Sequence, residues 1–166
     1  SPYGLSKLVG EKYLQLYSRM FGVSYTALRY ANVYGPRQSP HGEAGVIAIF
    51  TERILSGKGI YVNGDGEQTR DFVCVKDVVT ANLLALRDRP VGVFNVGTGI
   101  ETSVNQVASG IMTGLTVRAE VEHRACAPGE QRRSSIDSSL FERTTGFRPR
   151  IEFREGLKDY IESVRP

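Results

Sequence analysis

Tyr3 and Lys7 are the first residues in the sequence whose types and spacing could do chemistry. They are four positions apart, so a helix would carry both side chains on one face. A free phenol has a pKa of about 10, and an ammonium group nearby stabilises its phenolate form. The pair therefore predicts a general base for a substrate hydroxyl. Taken alone, the same pattern also fits a surface tyrosine beside a solvated lysine.

Helical and strand patterns alternate along the chain, which predicts an α/β fold with some parallel strand pairing. Helices are expected over residues 5–21, 46–56, 78–87, 103–113, 138–145 and 154–164, and strands over residues 24–30, 60–63, 71–75, 93–96 and 117–122. Residues 32–36 are expected to break the first strand. Asp77 is expected to cap the third helix, and Ser103 with Gln106 has the form of a capping box for the fourth.

The composition excludes several classes of protein. Of the 166 residues 40% are hydrophobic and 23% are charged, with a net charge of +3. No apolar run reaches the ~18 residues of a membrane-spanning helix, and no secretory signal is visible. Cys74 and Cys126 fit a reducing compartment, so we expect a cytoplasmic protein. His41 and His123 lack metal-ligand spacing, and no basic stripe suits a nucleic acid.

Two short glycine motifs have the form of turns. Gly-Thr-Gly at residues 97–99 and Gly-Asp-Gly at residues 64–66 are followed by Thr102 and Thr69, where a dinucleotide fingerprint would need a third glycine. The sequence of these 166 residues therefore carries no Gly-x-Gly-x-x-Gly fingerprint at either motif.

Four sequence blocks carry a resemblance to a known family. They are Ser-Pro-Tyr-Gly-Leu-Ser-Lys at residues 1–7 with Glu11 one turn on, Leu-Arg-Tyr-Ala-Asn-Val-Tyr-Gly-Pro-Arg-Gln at 28–38, Gly-Asp-Gly-Glu-Gln-Thr-Arg-Asp-Phe-Val at 64–73, and Phe-Asn-Val-Gly-Thr-Gly at 94–99. Together these blocks resemble the extended short-chain dehydrogenases that act on nucleotide-diphosphate sugars, among which the UDP-glucose 4-epimerase group is the most similar. The resemblance runs over essentially the whole chain, in the same order.

The resemblance implies roles for the chemically active positions. Tyr3 matches the catalytic tyrosine, and Lys7 matches the lysine that binds the nicotinamide ribose and tunes the tyrosine. Asn32 matches an asparagine that contacts the diphosphate region of the substrate. Arg70 matches one of two arginines that clamp the diphosphate. A guanidinium suits this task because it stays charged and binds phosphate oxygens in pairs. The plain alternative for Arg70 is a surface ion pair with Asp71.

The resemblance also implies a nucleotide-binding wall. Val46 and Ile47 match the start of a helix that approaches the nucleotide, largely through its backbone. Tyr61 and Asn63 fall where the family lines the pocket for the base. We therefore expect all four residues to contact the substrate.

The second clamping arginine departs from the family pattern. Many members carry it just before a Pro-Gly-Asp/Glu turn, but here Ala127 precedes Pro128. Arg133 is the best substitute, with Arg124 behind it, and Arg132 is interpreted as a bystander. The alternative is that Arg132 and Arg133 form a solvated basic pair.

The fold that the resemblance implies is the C-terminal part of a Rossmann-type extended short-chain dehydrogenase together with its smaller mixed α/β substrate-binding region. Residues 1–40 would belong to the NAD-binding domain and residues 41–166 mainly to the substrate-binding region, with residues 77–100 returning to the Rossmann layer. Because the chain opens on the catalytic helix, we expect it to be half of a longer protein. Helix 5–21 would contribute to a homodimer.

The activity that the resemblance implies is NAD-dependent epimerisation at C4 of a UDP-sugar, UDP-glucose or UDP-galactose, by transient hydride transfer with Tyr3 as the base. The chain alone is expected to be inactive, because the family's glycine fingerprint and upstream catalytic Ser or Thr are not in it. Alternatives are a 4,6-dehydratase or an N-acetylhexosamine epimerase of the same family, a non-catalytic nucleotide-sugar-binding protein, or a purely structural domain.

Overall fold

The computed structural model of the chain describes residues 2–42, 45–126 and 129–165. Its helices are α1 (Pro2–Phe21), α2 (Val46–Leu55), α3 (Val75–Asp88), α4 (Val104–Leu115), α5 (Ser139–Thr145) and α6 (Phe153–Val164). Its strands are β1 (Thr26–Tyr30), β2 (Asn32–Tyr34), β3 (Ile60–Asn63), β4 (Thr69–Cys74), β5 (Gly92–Val96), β6 (Glu101–Ser103) and β7 (Val121–Arg124). The alternation confirms the expected α/β fold class.

Three small sheets organise these strands. β1 pairs with β5 in parallel, and β3 pairs with β7 in parallel. In the third sheet β4 lies in the middle, parallel to β2 and antiparallel to β6. Parallel neighbours need crossover connections, and α3 provides one within the segment between β1 and β5. The mixture of parallel and antiparallel pairing agrees with a mixed α/β region.

Two hydrophobic clusters hold the elements together. The larger one joins α2, α4 and α6 with β2, β3 and β4, and its fully buried members include Tyr34, Ile47 and Ile111. The smaller one lies against β5 and contains Phe94, Phe141, Phe147, Ala81 and Val96. Cys74 is buried in the larger cluster. Neither cluster includes a described residue of α1.

Two local expectations were wrong, and two short strands were not predicted. The third helix begins at Val75 with Cys74 as its N-cap, while the buried carboxylate of Asp77 accepts hydrogen bonds from the backbone N–H groups of Arg150 and Ile151. The last strand runs over Val121–Arg124, not over residues 117–122. The expected break of the first strand is confirmed, since β1 ends at Tyr30, but two short strands were not predicted: β2, which pairs with β4 in another sheet, and β6. The expected capping box is confirmed, with Ser103 Oγ accepting from the Gln106 N–H and Gln106 Oε1 accepting from the Ser103 N–H.

Helix α1 lies on the surface along its whole length. None of its described residues is buried, and Tyr13, Leu16, Tyr17 and Met20, which have helical spacing, are all largely exposed. These side chains are therefore not part of either core cluster. No helix in the described ranges is long and apolar enough to span a membrane.

Candidate active site

A cleft of about 1170 Å³ is lined by residues of α1, β1, β2, α2, β3 and β4. Eight of the nine site residues predicted from the sequence line it: Tyr3, Lys7, Asn32, Val46, Ile47, Tyr61, Asn63 and Arg70. The ninth, Arg133, lies elsewhere. Predicted site residues up to 67 positions apart in the sequence, from Tyr3 to Arg70, therefore line one cavity.

Tyr3 and Lys7 lie one turn apart at the start of α1. Pro2 opens this helix, where its fixed φ and missing N–H are favourable. The Nζ atom of Lys7 lies 5.0 Å from the centroid of the Tyr3 ring, and Tyr3 is 58% exposed. In the part of the chain that the structure describes, the Lys7 ammonium has no carboxylate partner. The pair thus combines an accessible phenol with an unpaired cation on the same wall of the cleft.

Tyr34 also lines the cleft but is unsuited to proton transfer. It is 1% exposed, and its hydroxyl donates to the Phe153 carbonyl oxygen at 3.3 Å. Burial raises the pKa of its phenol well above the ordinary value, so it stays protonated. The phenol of Tyr3, which is 58% exposed and lines the cleft, is accessible to a ligand, whereas that of Tyr34 is not.

Asn32 lies where the chain passes from one sheet to the next. The Ala31 N–H still donates to the Val96 carbonyl of β5, whereas Asn32 already pairs with Phe72 of β4. Asn32 is exposed to the cleft at this step. In α/β folds, ligands bind in the crevice outside the carboxyl ends of parallel strands, and Asn32 follows directly on the carboxyl end of β1.

The first turn of α2 forms another part of the cleft wall. Its N-cap is Gly45, whose lack of a side chain leaves the first backbone N–H groups of the helix uncapped. Ile47 is buried in the core, and Val46 is partly buried. The side chains thus hold the helix in place, and any contact with a ligand would come through the backbone N–H groups, which attract anions.

Tyr61 and Asn63 occupy alternate positions of β3 that point away from the core. The ring of Tyr61 carries two guanidinium groups, with the Cζ atoms of Arg124 and Arg53 at 3.2 and 4.1 Å from its centroid. The Gln68 side-chain amide donates to the Asn63 carbonyl at 2.9 Å, which ties β3 to the approach of β4. The Tyr61 ring that lines the cleft is thus packed against two guanidinium groups, of which Arg124 is paired with Glu122 at 2.9 Å.

Arg70 is held rigidly at the cleft wall. Its Nη1 donates to the carbonyl oxygens of Thr69 and Gln131, each at 2.7 Å. Its Nη2 lies 3.5 Å from Oε1 of Glu130, so its carboxylate partner is Glu130 and not Asp71, as the plain alternative held. Asp71 is buried on the other side of the strand. The carbonyl contacts preorganise the guanidinium and leave Nη2 facing the weaker, longer ion pair.

Arg132 and Arg133 are engaged away from the cleft. Arg133 binds the carboxylate of Glu101 through three contacts of 2.9–3.2 Å, and its side chain is 77% exposed. Arg132 binds Asp65 in bidentate form and holds the pKa of that carboxyl well below its usual range. Arg132 thus joins its loop to the Gly-Asp-Gly turn at residues 64–66, and Arg133 joins it to the start of β6. The turn residues Ala127 and Pro128 lie outside the described residues.

Asp71 fixes the Gly-Thr-Gly turn that follows β5. Its carboxylate accepts hydrogen bonds from the Thr98 N–H, the Thr98 hydroxyl and the Gly99 N–H, at 2.6–3.0 Å. Both glycine motifs are turns, as expected, with Gly64, Gly66 and Gly99 at positive φ.

Several cleft residues were not identified as functional from the sequence. Glu11 lines the cleft and binds Arg29 of β1 through two hydrogen bonds of 2.6 Å. Its position four residues after Lys7 was the available signal. Gln68 and Glu130 also line the cleft. Nothing in their local sequence marks them, because their neighbours Asn63 and Arg70 are set by the fold.

Comparison with known proteins assigns the family. A family model described as "NAD dependent epimerase/dehydratase family" matches residues 1–97, more than half of the chain. The chain belongs to this family. A protein of Methanocaldococcus jannaschii named putative UDP-glucose 4-epimerase is 48% identical over 165 residues, which cover 99% of this chain and 53% of the relative. The match confirms the resemblance seen in the four sequence blocks.

Solved structures of epimerases share the fold. The UDP-glucose 4-epimerase of Thermotoga maritima, crystallised with UDP-glucose, is 46% identical with a TM-score of 0.92, over 98% of this chain and 53% of that one. The Thermus thermophilus enzyme in complex with NAD is 39% identical with a TM-score of 0.91, at the same coverage. The chain therefore spans about half the length of the relatives it matches, and its fold is the C-terminal part of the Rossmann-type extended enzymes.

Proposed function

We propose that the full-length protein is an NAD-dependent epimerase that inverts C4 of a UDP-sugar, UDP-glucose or UDP-galactose, with Tyr3 as the base. The observation that carries this proposal is that groups suited to proton transfer and a group suited to binding an anion line one cleft. The phenol and ammonium of Tyr3 and Lys7 line it together with the preorganised guanidinium of Arg70. The first pair suits a sugar hydroxyl, and the guanidinium suits a diphosphate.

The residues of this chain supply proton transfer and position. Tyr3 takes the proton of the sugar 4-hydroxyl as C4 is oxidised, and it returns that proton when C4 is reduced. Lys7 keeps the phenolate stable through its positive charge. When bound, NAD supplies the oxidising power by accepting the C4 hydride and giving it back to the opposite face of the sugar.

The residues present fit the nicotinamide end of NAD. The Lys7 ammonium is unpaired within the described residues and faces the cleft, so its donors are free for ribose hydroxyls. The glycine fingerprint that cradles the pyrophosphate is not in this sequence. We therefore propose that residues 1–166 alone have no turnover, and that residues 1–40 belong to the NAD-binding domain while residues 41–166 form mainly the substrate-binding region.

The residues proposed to hold the substrate lie on β2, α2, β3 and β4, which line the cleft together with α1. Arg70 binds the diphosphate with its Nη2, Asn32 contacts the same region, and the first N–H groups of α2 at Val46 and Ile47 face the nucleotide. Tyr61 and Asn63 line the space for the base. Because these contacts hold the nucleotide and the diphosphate but not the sugar, the 4-keto sugar can turn about its diphosphate link and present its other face. We assign Arg133 no direct contact with the diphosphate, because it does not line the cleft and pairs with Glu101 outside it.

Replacing Tyr3 with Phe in the full-length protein tests the proposal. Interconversion of UDP-glucose and UDP-galactose should fall to background, while the Kd for UDP changes by less than about twofold, since the phenol contributes to the transition state alone. Tyr13→Phe is the matched control, because Tyr13 is equally exposed on the same helix but does not line the cleft. Unchanged turnover in the Tyr3 variant refutes the role of Tyr3.

Product analysis separates the alternatives within the family. A 4,6-dehydratase would release a 4-keto-6-deoxy sugar, and an N-acetylhexosamine epimerase would prefer UDP-N-acetylglucosamine. A non-catalytic binding protein would bind UDP-sugars and give no product with NAD present.

A homodimer formed through the exposed apolar side chains of α1 is part of the proposal, and the mass of the full-length protein in solution tests it.

A further inference from the structure

The bidentate ion pair between Glu11 and Arg29 joins the helix that carries Tyr3 to the sheet. Nε of Arg29 lies 2.6 Å from Oε1 of Glu11, and Nη2 lies 2.6 Å from Oε2. The Glu11 side chain is only 14% exposed, against 53% for Arg29. Paired, parallel hydrogen bonds of this kind fix orientation as well as distance, unlike most surface ion pairs.

Glu11 continues the row that Tyr3 and Lys7 begin. Steps of four residues advance about 6 Å along an α-helix and rotate by only about 40°. All three side chains line the same cleft, as does Leu14 after them. The ion pair thus lies on the helix face that presents the proposed base.

Within the described residues, the Glu11–Arg29 ion pair is a direct link between α1 and β1. Most residues of α1 are exposed in this chain, whereas Glu11 is partly buried. Apolar packing of α1, as in the proposed homodimer, restrains a helix through many weak contacts, and the ion pair adds a contact of fixed direction on the cleft-facing side.

We propose that Glu11 and Arg29 are positioning residues that set the rotation of α1 and thereby the distance of Tyr3 from the reacting hydroxyl. This inference rests on the proposed function. It differs from a stabilising role, because the pair acts on the placement of Tyr3 rather than on folding. The charges suit the task, since the Arg29 guanidinium lowers the pKa of Glu11, and Lys12 beside it acts in the same direction.

The geometry gives the expected size of the effect. Side chains reach ~5–6 Å from the helix axis, so a rotation by ~10° displaces a group there by ~1 Å. A displacement of that size at a reacting group can lower the rate by about 100-fold. We therefore expect a 10- to 100-fold loss of kcat with little change in substrate binding.

A double-mutant cycle in the full-length protein tests this proposal. Glu11→Gln and Arg29→Gln should each lower kcat by about 10- to 100-fold, and the double variant should fall no further than the worse single variant, since both break one contact. The Kd for UDP should stay within about twofold. The proposal would be overturned if the kcat loss of the double variant equalled the product of the two single losses. It would also be overturned if kcat stayed within twofold of wild type in both single variants.

A second measurement works without turnover. Hydrogen exchange of the α1 backbone amides should quicken in Glu11→Gln, while exchange in β4 stays unchanged. Lys76→Gln is the matched control, because Lys76 binds Asp159 at 2.6 Å between α3 and α6, away from the cleft. It should change neither kcat nor α1 exchange. Faster exchange throughout the chain in Glu11→Gln would show a merely stabilising pair and would refute the proposal.

The two proposals fail in different ways. If the wild-type protein releases no epimerised sugar, the proposed function is refuted, whatever the exchange data show. If the wild type is active and Tyr3→Phe is inactive, but Glu11→Gln keeps its kcat, then only the positioning role is refuted.

Discussion

Replacing Arg70 with Lys preserves a positive charge while removing the fork that the structure uses. In the native protein Nη1 is held by two carbonyl oxygens, and Nη2 lies 3.5 Å from Oε1 of Glu130, which lines the cleft with Arg70. A lysine ammonium is a single point of charge and cannot keep both carbonyl contacts while also reaching the diphosphate. The substitution therefore tests geometry rather than charge.

The size of the effect follows from the contact that is lost. A hydrogen bond to a charged group contributes about 1.5–3 kcal/mol, and each 1.4 kcal/mol is about tenfold in affinity. We therefore expect UDP to bind about 10- to 150-fold more weakly to the Arg70→Lys variant of the full-length protein, as measured by titration calorimetry. Uridine, which lacks the diphosphate, should lose less than about threefold.

Arg133→Lys provides the matched control. Arg133 is exposed, pairs with Glu101 and does not line the cleft, so UDP affinity should change by less than about twofold. If Arg133→Lys weakened UDP binding more than Arg70→Lys does, the assignment of the clamp would be wrong. If uridine and UDP lost affinity equally in Arg70→Lys, the residue would hold the loop near Gln131 rather than the diphosphate.

Two further predictions concern the framework of the cleft. Asp71→Asn should lower the free energy of unfolding, measured by urea titration, by about 1–3 kcal/mol, because the new NH₂ group must face a backbone N–H of the Thr98–Gly99 turn. Asp88→Asn is the control, because it changes a surface carboxylate paired with Arg87, and its free energy of unfolding should stay within about 0.5 kcal/mol of wild type. Ser103→Ala should lower the free energy of unfolding by about 1 kcal/mol, because it removes the N-cap of α4. Ser109→Ala, on the exposed face of α4, should not destabilise the protein. Equal losses of stability in both variants would refute the capping role of Ser103.

Sequence patterns predicted the features that depend on neighbouring residues. The capping box at Ser103 and the one-turn spacing of Tyr3 and Lys7 are local, and the structure has both. Features that depend on distant partners were missed. Asp77 looks like a cap in its own segment, but the backbone at Arg150 and Ile151 binds its carboxylate within the fold.

Long-range pairing also explains the remaining misses. β6 has three residues and no periodic pattern, and it exists because β4 pairs with it. Arg133 was predicted as the second clamping arginine, yet it pairs with Glu101, 32 positions earlier, and does not line the cleft. Arg132, which was interpreted as a bystander, pairs with Asp65, 67 positions earlier. A basic pair near a Pro-Gly turn predicts charge but not where that charge is neutralised.

The connection between Tyr3 and Arg70 explains why turnover and binding should separate. Glu11 links α1 to Arg29, and Asn32 lies three residues further along the chain. Asn32 pairs with Phe72, and Arg70 lies two residues before Phe72 on β4. Loss of the Glu11–Arg29 ion pair would therefore release α1, which carries Tyr3, from β1, while the strand pairing and the two carbonyl contacts of Arg70 stay intact. Changes at Glu11 should therefore appear in kcat, and changes at Arg70 should appear in affinity.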